Sequence, residues 1–187
     1  MNKSLSKGIG IGLMVALAGL LLAGFSFVRH PGIGMMGQYS RLYSSTDVCA
    51  PSTKLTGQTI NVSVSDMGMM MGNAARMGLS ASPSIIASGK VNIVLSNLGM
   101  RTHELVVLPL ADGQSAGMRV VGADGKIDES GSLGEVSNNC ASGSGKGIAS
   151  GSRGWTTLNL GPGRYEFVCN LPNHYAAGMY QEVVVKP

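Results

Sequence analysis

The sequence predicts a small all-β domain, a β-sandwich, preceded by one hydrophobic helix at the N-terminus. Three observations carry that expectation: short runs in which apolar and polar residues alternate, turn signals between the runs, and no amphipathic helical stretch beyond the N-terminus. Few aromatics, 28 glycines and many Ser, Thr and Val residues fit a domain of that class with long loops.

The helix comes first. Lys3 and Lys7 precede an uncharged run from Gly8 to Val28, which Arg29 ends. A run of that length can span a bilayer, and it exceeds the apolar region of most signal peptides. Phe25 and Phe27 stand where a cleavage site wants small residues. An uncleaved anchor over residues 8–28 is therefore expected, with a cleaved signal as the alternative. The lysines stay cytoplasmic, and either reading exports the rest of the chain. The domain plan is a signal-anchor at 1–29, a linker at 30–56 without periodicity, and a folded domain at 57–187.

"TINVSVSD" alternates Ile60, Val62 and Val64 with polar residues, and "KVNIVLSNLG" does so with Val91, Ile93 and Leu95. "THELVVLPL" is more continuously apolar and runs into the Asp112-Gly113 turn. From Gly113 to Gly154 the chain is rich in Gly, Ser, Asp and Asn, with one strand candidate at "MRVVG". So long a loop in a compact domain is functional or tied down. "WTTLNL", the turn "GPGR", "YEFVC" and "YQEVVVK" complete the expected strands.

Charge excludes some functions. The net charge of +4 is dispersed, and no basic cluster with interleaved aromatics points to nucleic acid. There are three cysteines, and an exported domain favours pairing. Cys49 and Cys140, both in polar, turn-rich surroundings, make the natural disulfide. Closing so long a loop contributes about 4 to 5 kcal/mol in the chain-entropy view. Cys169 is left over.

Cys169 opens "CNLPNHYAAGM", where Cys169, His174 and Met179 recur at five-residue steps between two expected strands. A thiolate, an imidazole and a thioether presented by one loop form a soft donor set that suits copper rather than Mg or Ca. A blue-copper site needs one Cys, two His and a weak axial Met. The chain has three histidines, and His30 lies at the membrane flank. His103 follows the strand "KVNIVLSNLG" and can sit at the same end of the sandwich as the loop. The expected ligands are His103, Cys169, His174 and Met179. A structural zinc site would leave Met179 unexplained.

Cys-x4-His-x4-Met, with an upstream histidine in the setting Asn97, Gly99, His103, Glu104, Leu105, resembles the cupredoxins. The loop spacing is similar to that of rusticyanin and sulfocyanin, and "SDMGMMM", "HELVVLPL" and "LGPGRYEFVCNLPNHYAAGMY" resemble sulfocyanins in particular. The resemblance spans roughly residues 57–187. It implies a Greek-key β-sandwich holding one type 1 copper. It also implies electron transfer in an extracytoplasmic respiratory chain, with redox proteins such as a cytochrome or terminal oxidase as partners and the domain as a monomer. His174 would be the exposed ligand at an apolar rim. Glu104 and Asn170 each follow a ligand, and with Asn97 they are expected to hydrogen-bond across the site and hold its two segments together.

Met67, Met69, Met70, Met71 and Met77 cluster in "DMGMMMGNAARM". As packing they form an apolar rim. As ligands they resemble thioether-rich Cu(I)-binding segments, and the alternative function is then a copper carrier with the metal as cargo. An enzyme is not expected. A multicopper oxidase or nitrite reductase needs further histidines, and a binuclear oxidase-type centre needs a second cysteine in the loop.

Overall fold

The computed structural model describes residues 51, 55–66 and 77–187. Among these, nine strands form two sheets: β1 (Gln58–Ser65), β2 (Gly78–Ser82), β3 (Ile85–Ala87), β4 (Gly89–Asn97), β5 (Leu105–Leu110), β6 (Gly134–Val136), β7 (Arg153–Leu160), β8 (Gly163–Val168) and β9 (Tyr180–Lys186). The four-stranded sheet is ordered β2-β1-β4-β7 and the five-stranded sheet β3-β9-β8-β5-β6. Pairing is parallel for β1 with β4 and for β3 with β9, and antiparallel elsewhere. No helix occurs among the described residues. The expected N-terminal helix at 1–29 and most of the 30–56 linker lie outside them.

Alternation builds the core. Ile60, Val62 and Val64 of β1, and Val91, Ile93 and Leu95 of β4, meet Leu105, Val107, Phe167, Val183 and Val185 of the other sheet in one buried cluster. Removing a side chain of this kind from water contributes about 1.5 to 3 kcal/mol. The polar residues that share β4's burial are all paired, as burial demands. Asn92 donates to the Thr56 carbonyl at 2.9 Å and accepts from the Thr157 hydroxyl at 2.8 Å.

β5 reads as continuously apolar because it is covered on both faces. Leu105 and Val107 face the main core, whereas Val106 and Leu108 join Ile127, Val168 and Tyr175 in a second, outer cluster. The chain between β5 and β6 supplies Ile127 and Val121 to that cluster and so lies over the outer face of the sheet.

Two expectations need correcting. "MRVVG" is not a strand: it makes one isolated bridge, Val121 to Ile127. Met118 and Val120 are 76% and 87% exposed, and the Arg119 side chain turns inward to Glu166, so the segment lacks a partner edge. The remainder of the 113–154 region, expected as a long loop, contains a strand of its own, β6. Residues 137–155 are held to their surroundings by Gly147 N to Ser137 O (2.6 Å), Cys140 N to Arg153 O (2.8 Å) and Gly143 N to Trp155 O (3.0 Å). β2 and β3, not expected from the sequence, are short edge strands in which Ser and Ala weaken the alternation.

Candidate metal centre

The loop from Cys169 to Met179 leaves β8 and returns as β9. The Cys169 amide donates to the Met179 carbonyl at 3.0 Å, which closes the loop at its base. Within it, His174 N reaches Leu171 O (2.9 Å), Gly178 N reaches Tyr175 O (2.9 Å) and Met179 N reaches His174 O (3.2 Å). These tight turns fold His174 and Met179 back toward Cys169. Asn173 at φ 67° and Gly178 at φ 100° supply the left-handed residues the path requires.

His103 arrives from the other side, after the 98–102 turn that links β4 to β5. It exchanges both backbone hydrogen bonds with Ile148, 3.1 Å through its amide and 2.6 Å through its carbonyl. Asn97 shapes that turn: its Nδ2 donates to the Arg101 and Ile148 carbonyls at 2.6 and 2.8 Å, and its Oδ1 accepts the Gly99 amide at 2.8 Å.

Three donor atoms converge. His103 Nδ1 lies 3.2 Å from His174 Nδ1, and Cys169 Sγ lies 3.3 Å from His174 Nδ1 and 3.9 Å from His103 Nδ1. A first-row ion bonded at about 2.0 Å to nitrogen and about 2.3 Å to sulfur, in a trigonal plane, spaces its donors by about 3.5 to 3.7 Å. The observed edges straddle those values, so the triangle fits such an ion. Met179, the fourth expected ligand, is fully buried in the same apolar cluster as Cys169.

Burial sets the protonation of the donors. It pushes His174 down to about 4, with His103 and Arg101 adding to the effect. Burial also lowers His103, against the pull of Asp66. Both shifts favour the neutral imidazole, the form that offers a lone pair to a metal. Burial pushes the Cys169 thiol up to about 12, although the amides of Glu104 and Leu171 favour the thiolate. A cation bound here would displace that proton.

The residues expected to join the two ligand segments divide the task. Glu104 donates its amide to Cys169 Sγ at 3.4 Å, and its carboxyl accepts the Asn170 amide. Burial raises that carboxyl to about 7, with Glu129 and Glu135 adding to the rise and Lys126 opposing it. The Asn170 side chain instead reaches the 127–129 segment, accepting Ile127 N at 2.8 Å and donating to Ile127 O at 2.9 Å and to Glu129. Sequence reasoning missed Asp66 and Ile148. The polar Asp66 closing an alternating run was the only available signal for the first; nothing in the chain pattern marks Ile148.

Met67, Met69, Met70, Met71 and Cys49 lie outside the described residues. Met77 is partly buried against the core. Its carbonyl approaches Gly178, where an added Cβ would stand 3.4 Å away.

A profile of the sulfocyanin (SoxE) domain matches residues 59–187. The chain belongs to the sulfocyanin family. Sulfocyanins are blue copper cupredoxins, and the cofactor is one type 1 copper, for which His103, Cys169 and His174 form the His-Cys-His site. Similar solved structures include auracyanin B, 18% identical over 72% of this chain and 93% of that one, with a TM-score of 0.46. The dithionite-reduced auracyanin of Roseiflexus castenholzii is 17% identical over 71% of this chain and 100% of that one, TM-score 0.45. Rusticyanin from Thiobacillus ferrooxidans is 15% identical over 82% of this chain and 95% of that one, TM-score 0.42. Among curated protein sequences none matches this sulfocyanin-family chain.

Proposed function

We propose that this chain is a mononuclear type 1 copper electron carrier that passes single electrons between extracytoplasmic respiratory redox proteins and catalyses no reaction of its own. The observation that supports it most is the triangle of His103, Cys169 and His174, with edges of 3.2, 3.3 and 3.9 Å, inside a buried end of the sandwich. Bound copper supplies a one-electron Cu(II)/Cu(I) couple. The protein's part is to hold its donors still. Cys169 and Met179 are tied together at the loop base and His103 is locked to Ile148, so the donor set has little freedom to rearrange with charge.

His174 is the electron's door in this reading. It is 8% exposed, whereas His103, Cys169 and Met179 are at 0%. Exposed Leu98 and Met100 on the 98–102 turn and Pro172 and Ala176 on the ligand loop supply apolar surface for a cytochrome or terminal oxidase to cover. Residues 8–28 anchor the monomer to the outer face of the membrane, and Cys49 pairs with Cys140. The alternative, a copper carrier that uses Met67, Met69, Met70, Met71 and Met77, rests on residues that, Met77 apart, lie outside the described ones.

The test is visible absorption of the full chain loaded with one equivalent of Cu(II). Intense thiolate-to-copper absorption, abolished in Cys169→Ser, is expected. A colourless copper complex in the wild type would overturn the reading.

A further inference from the structure

The outer face of the five-stranded sheet carries a buried carboxylate that lies apart from the donor triangle. Glu166, in the middle of β8, is 0% exposed. Its Oε1 accepts the Gly117 amide at 2.6 Å and the Tyr175 hydroxyl at 2.8 Å, and its Oε2 accepts Arg119 Nε at 2.6 Å. Arg119 also donates Nη2 to the Pro109 carbonyl at 2.6 Å and its amide to the Tyr175 oxygen at 3.1 Å. Buried ion pairs are often no more stabilising than apolar residues of the same volume. The place of this one suggests another use: Tyr175 is the residue after His174.

The same excursion of chain grips the ligand loop at two more points. Asn173 N donates to Gly125 O at 2.8 Å, and the Asn170 side chain pairs with both backbone groups of Ile127. Gly125 suits this place as glycine, because its φ is 77° and a Cβ there would lie 2.8 Å from the backbone nitrogen of Asn173. Tyr180, which follows Met179, packs on Tyr175 with ring centroids 5.2 Å apart, and Gly117 leaves no room for a Cβ against the Tyr180 ring. The residues next after all three expected loop donors, Asn170, Tyr175 and Tyr180, are thus held from outside the sheet.

We propose that Glu166, with Arg119 and Tyr175, is a positioning group for the copper centre: it fixes the ligand loop from the outer face of the sheet, so that His174 keeps one place in every state of the site. Directed polar bonds suit this task better than apolar packing, which tolerates sliding. The proposal rests on reading the centre as a one-electron copper site, since such a site gains from ligands that do not move.

The experiment compares Tyr175→Phe and Glu166→Gln in the full chain with Val121→Ala, which loosens the same outer cluster without touching a polar tie. In copper-free protein, hydrogen exchange at the amides of Asn173, His174 and Ala177 is expected to quicken in the first two variants and to hold its wild-type rate in the third. In copper-loaded protein, affinity for the metal against a chelator is expected to fall by about 10- to 100-fold in the first two. The reduction potential should shift with it, and the double variant should be no worse than the more affected single one. Wild-type loop exchange, affinity and potential, with only thermal stability lowered, would overturn the proposal. Should Glu166→Gln fail to fold, Tyr175→Phe, which removes a single hydroxyl, decides alone. Failure of the electron-carrier reading shows differently, as a wild type without thiolate absorption. The exchange measurement, made without metal, still decides the positioning role.

Discussion

The carboxylate of Asp66 stands 3.6 Å behind His103 Nε2 while its two oxygens accept the amides of Met100 and Arg101 at 2.7 and 2.9 Å. One residue just past β1 thus backs a donor imidazole and holds the turn that delivers it. Burial works against the charge on Asp66, but the two amides and His103 outweigh it and keep its carboxyl below the usual carboxylate range. A carboxylate behind a metal-binding imidazole orients the ring and raises its basicity.

Asp66→Ala should therefore damage fold and site together. Two amides lose their acceptor, at about 1 to 3 kcal/mol for each that stays buried and unsatisfied, and copper affinity should drop by about 10- to 100-fold. Denaturant unfolding of copper-free protein measures the first effect and chelator competition the second. An Asp66→Asn variant that recovers stability without recovering affinity would separate them.

Gly99 is where these groups meet. A Cβ there would stand 2.7 Å from Asp66 Oδ1 and 3.0 Å from His103 Nε2. Gly99→Ala should push the imidazole from its place, changing the intensity and position of the copper absorption while leaving the distant β-sheet signal in circular dichroism intact. An unchanged absorption spectrum would show that the turn yields and the ring does not.

Asn97→Ala removes three hydrogen bonds from one buried side chain: those to the Arg101 and Ile148 carbonyls and that from the Gly99 amide. The cost should exceed that of a single lost bond and reach about 2 to 4 kcal/mol, read as a lower denaturant midpoint at constant slope. The stretch from Ile148 to Ser150 should lose hydrogen-exchange protection at the same time.

A surface pair at the far side of the second sheet gives a pH test. Arg164 meets the Glu182 carboxylate through Nε and Nη2 at 2.7 and 2.8 Å, and this hydrogen bonding holds Glu182 below its ordinary 4.5. A carboxylate lowered in the folded state stabilises above its unfolded pKa, and that stability is lost as pH falls through the folded value. Arg164→Met should lower the unfolding midpoint at neutral pH and converge with wild type in acid, once Glu182 is protonated in both. High salt should shrink the neutral-pH difference, because both side chains are about one-third exposed.

Local pattern revealed the long strands because period-two alternation is a property of the chain itself. Ile60, Val62 and Val64, and likewise Val91, Ile93 and Leu95, each declare an inward face before any partner is known. β3 and β6 have three residues each, too few for a period, and exist through the strands they pair with. "MRVVG" misled for the converse reason: strand-forming residues without a neighbouring edge stay exposed.

At the site, the spacing of Cys169, His174 and Met179 was decided by the sequence alone, because all three sit on one loop and the chemistry of thiolate, imidazole and thioether is intrinsic to the side chains. That His103 completes the triangle follows from the scarcity of histidines, and its distance of 3.2 Å from His174 is a product of β5 pairing with β8 in one sheet, which sets the residues before β5 beside the loop that leaves β8. Asp66 behind His103, Ile148 beside it, and Glu166 beneath Tyr175 lie 37, 45 and 9 positions from those partners along the chain. No local pattern encodes such pairings. They are decided by the tertiary structure, where burial forces every polar group to find a partner and the fold determines which one is within reach.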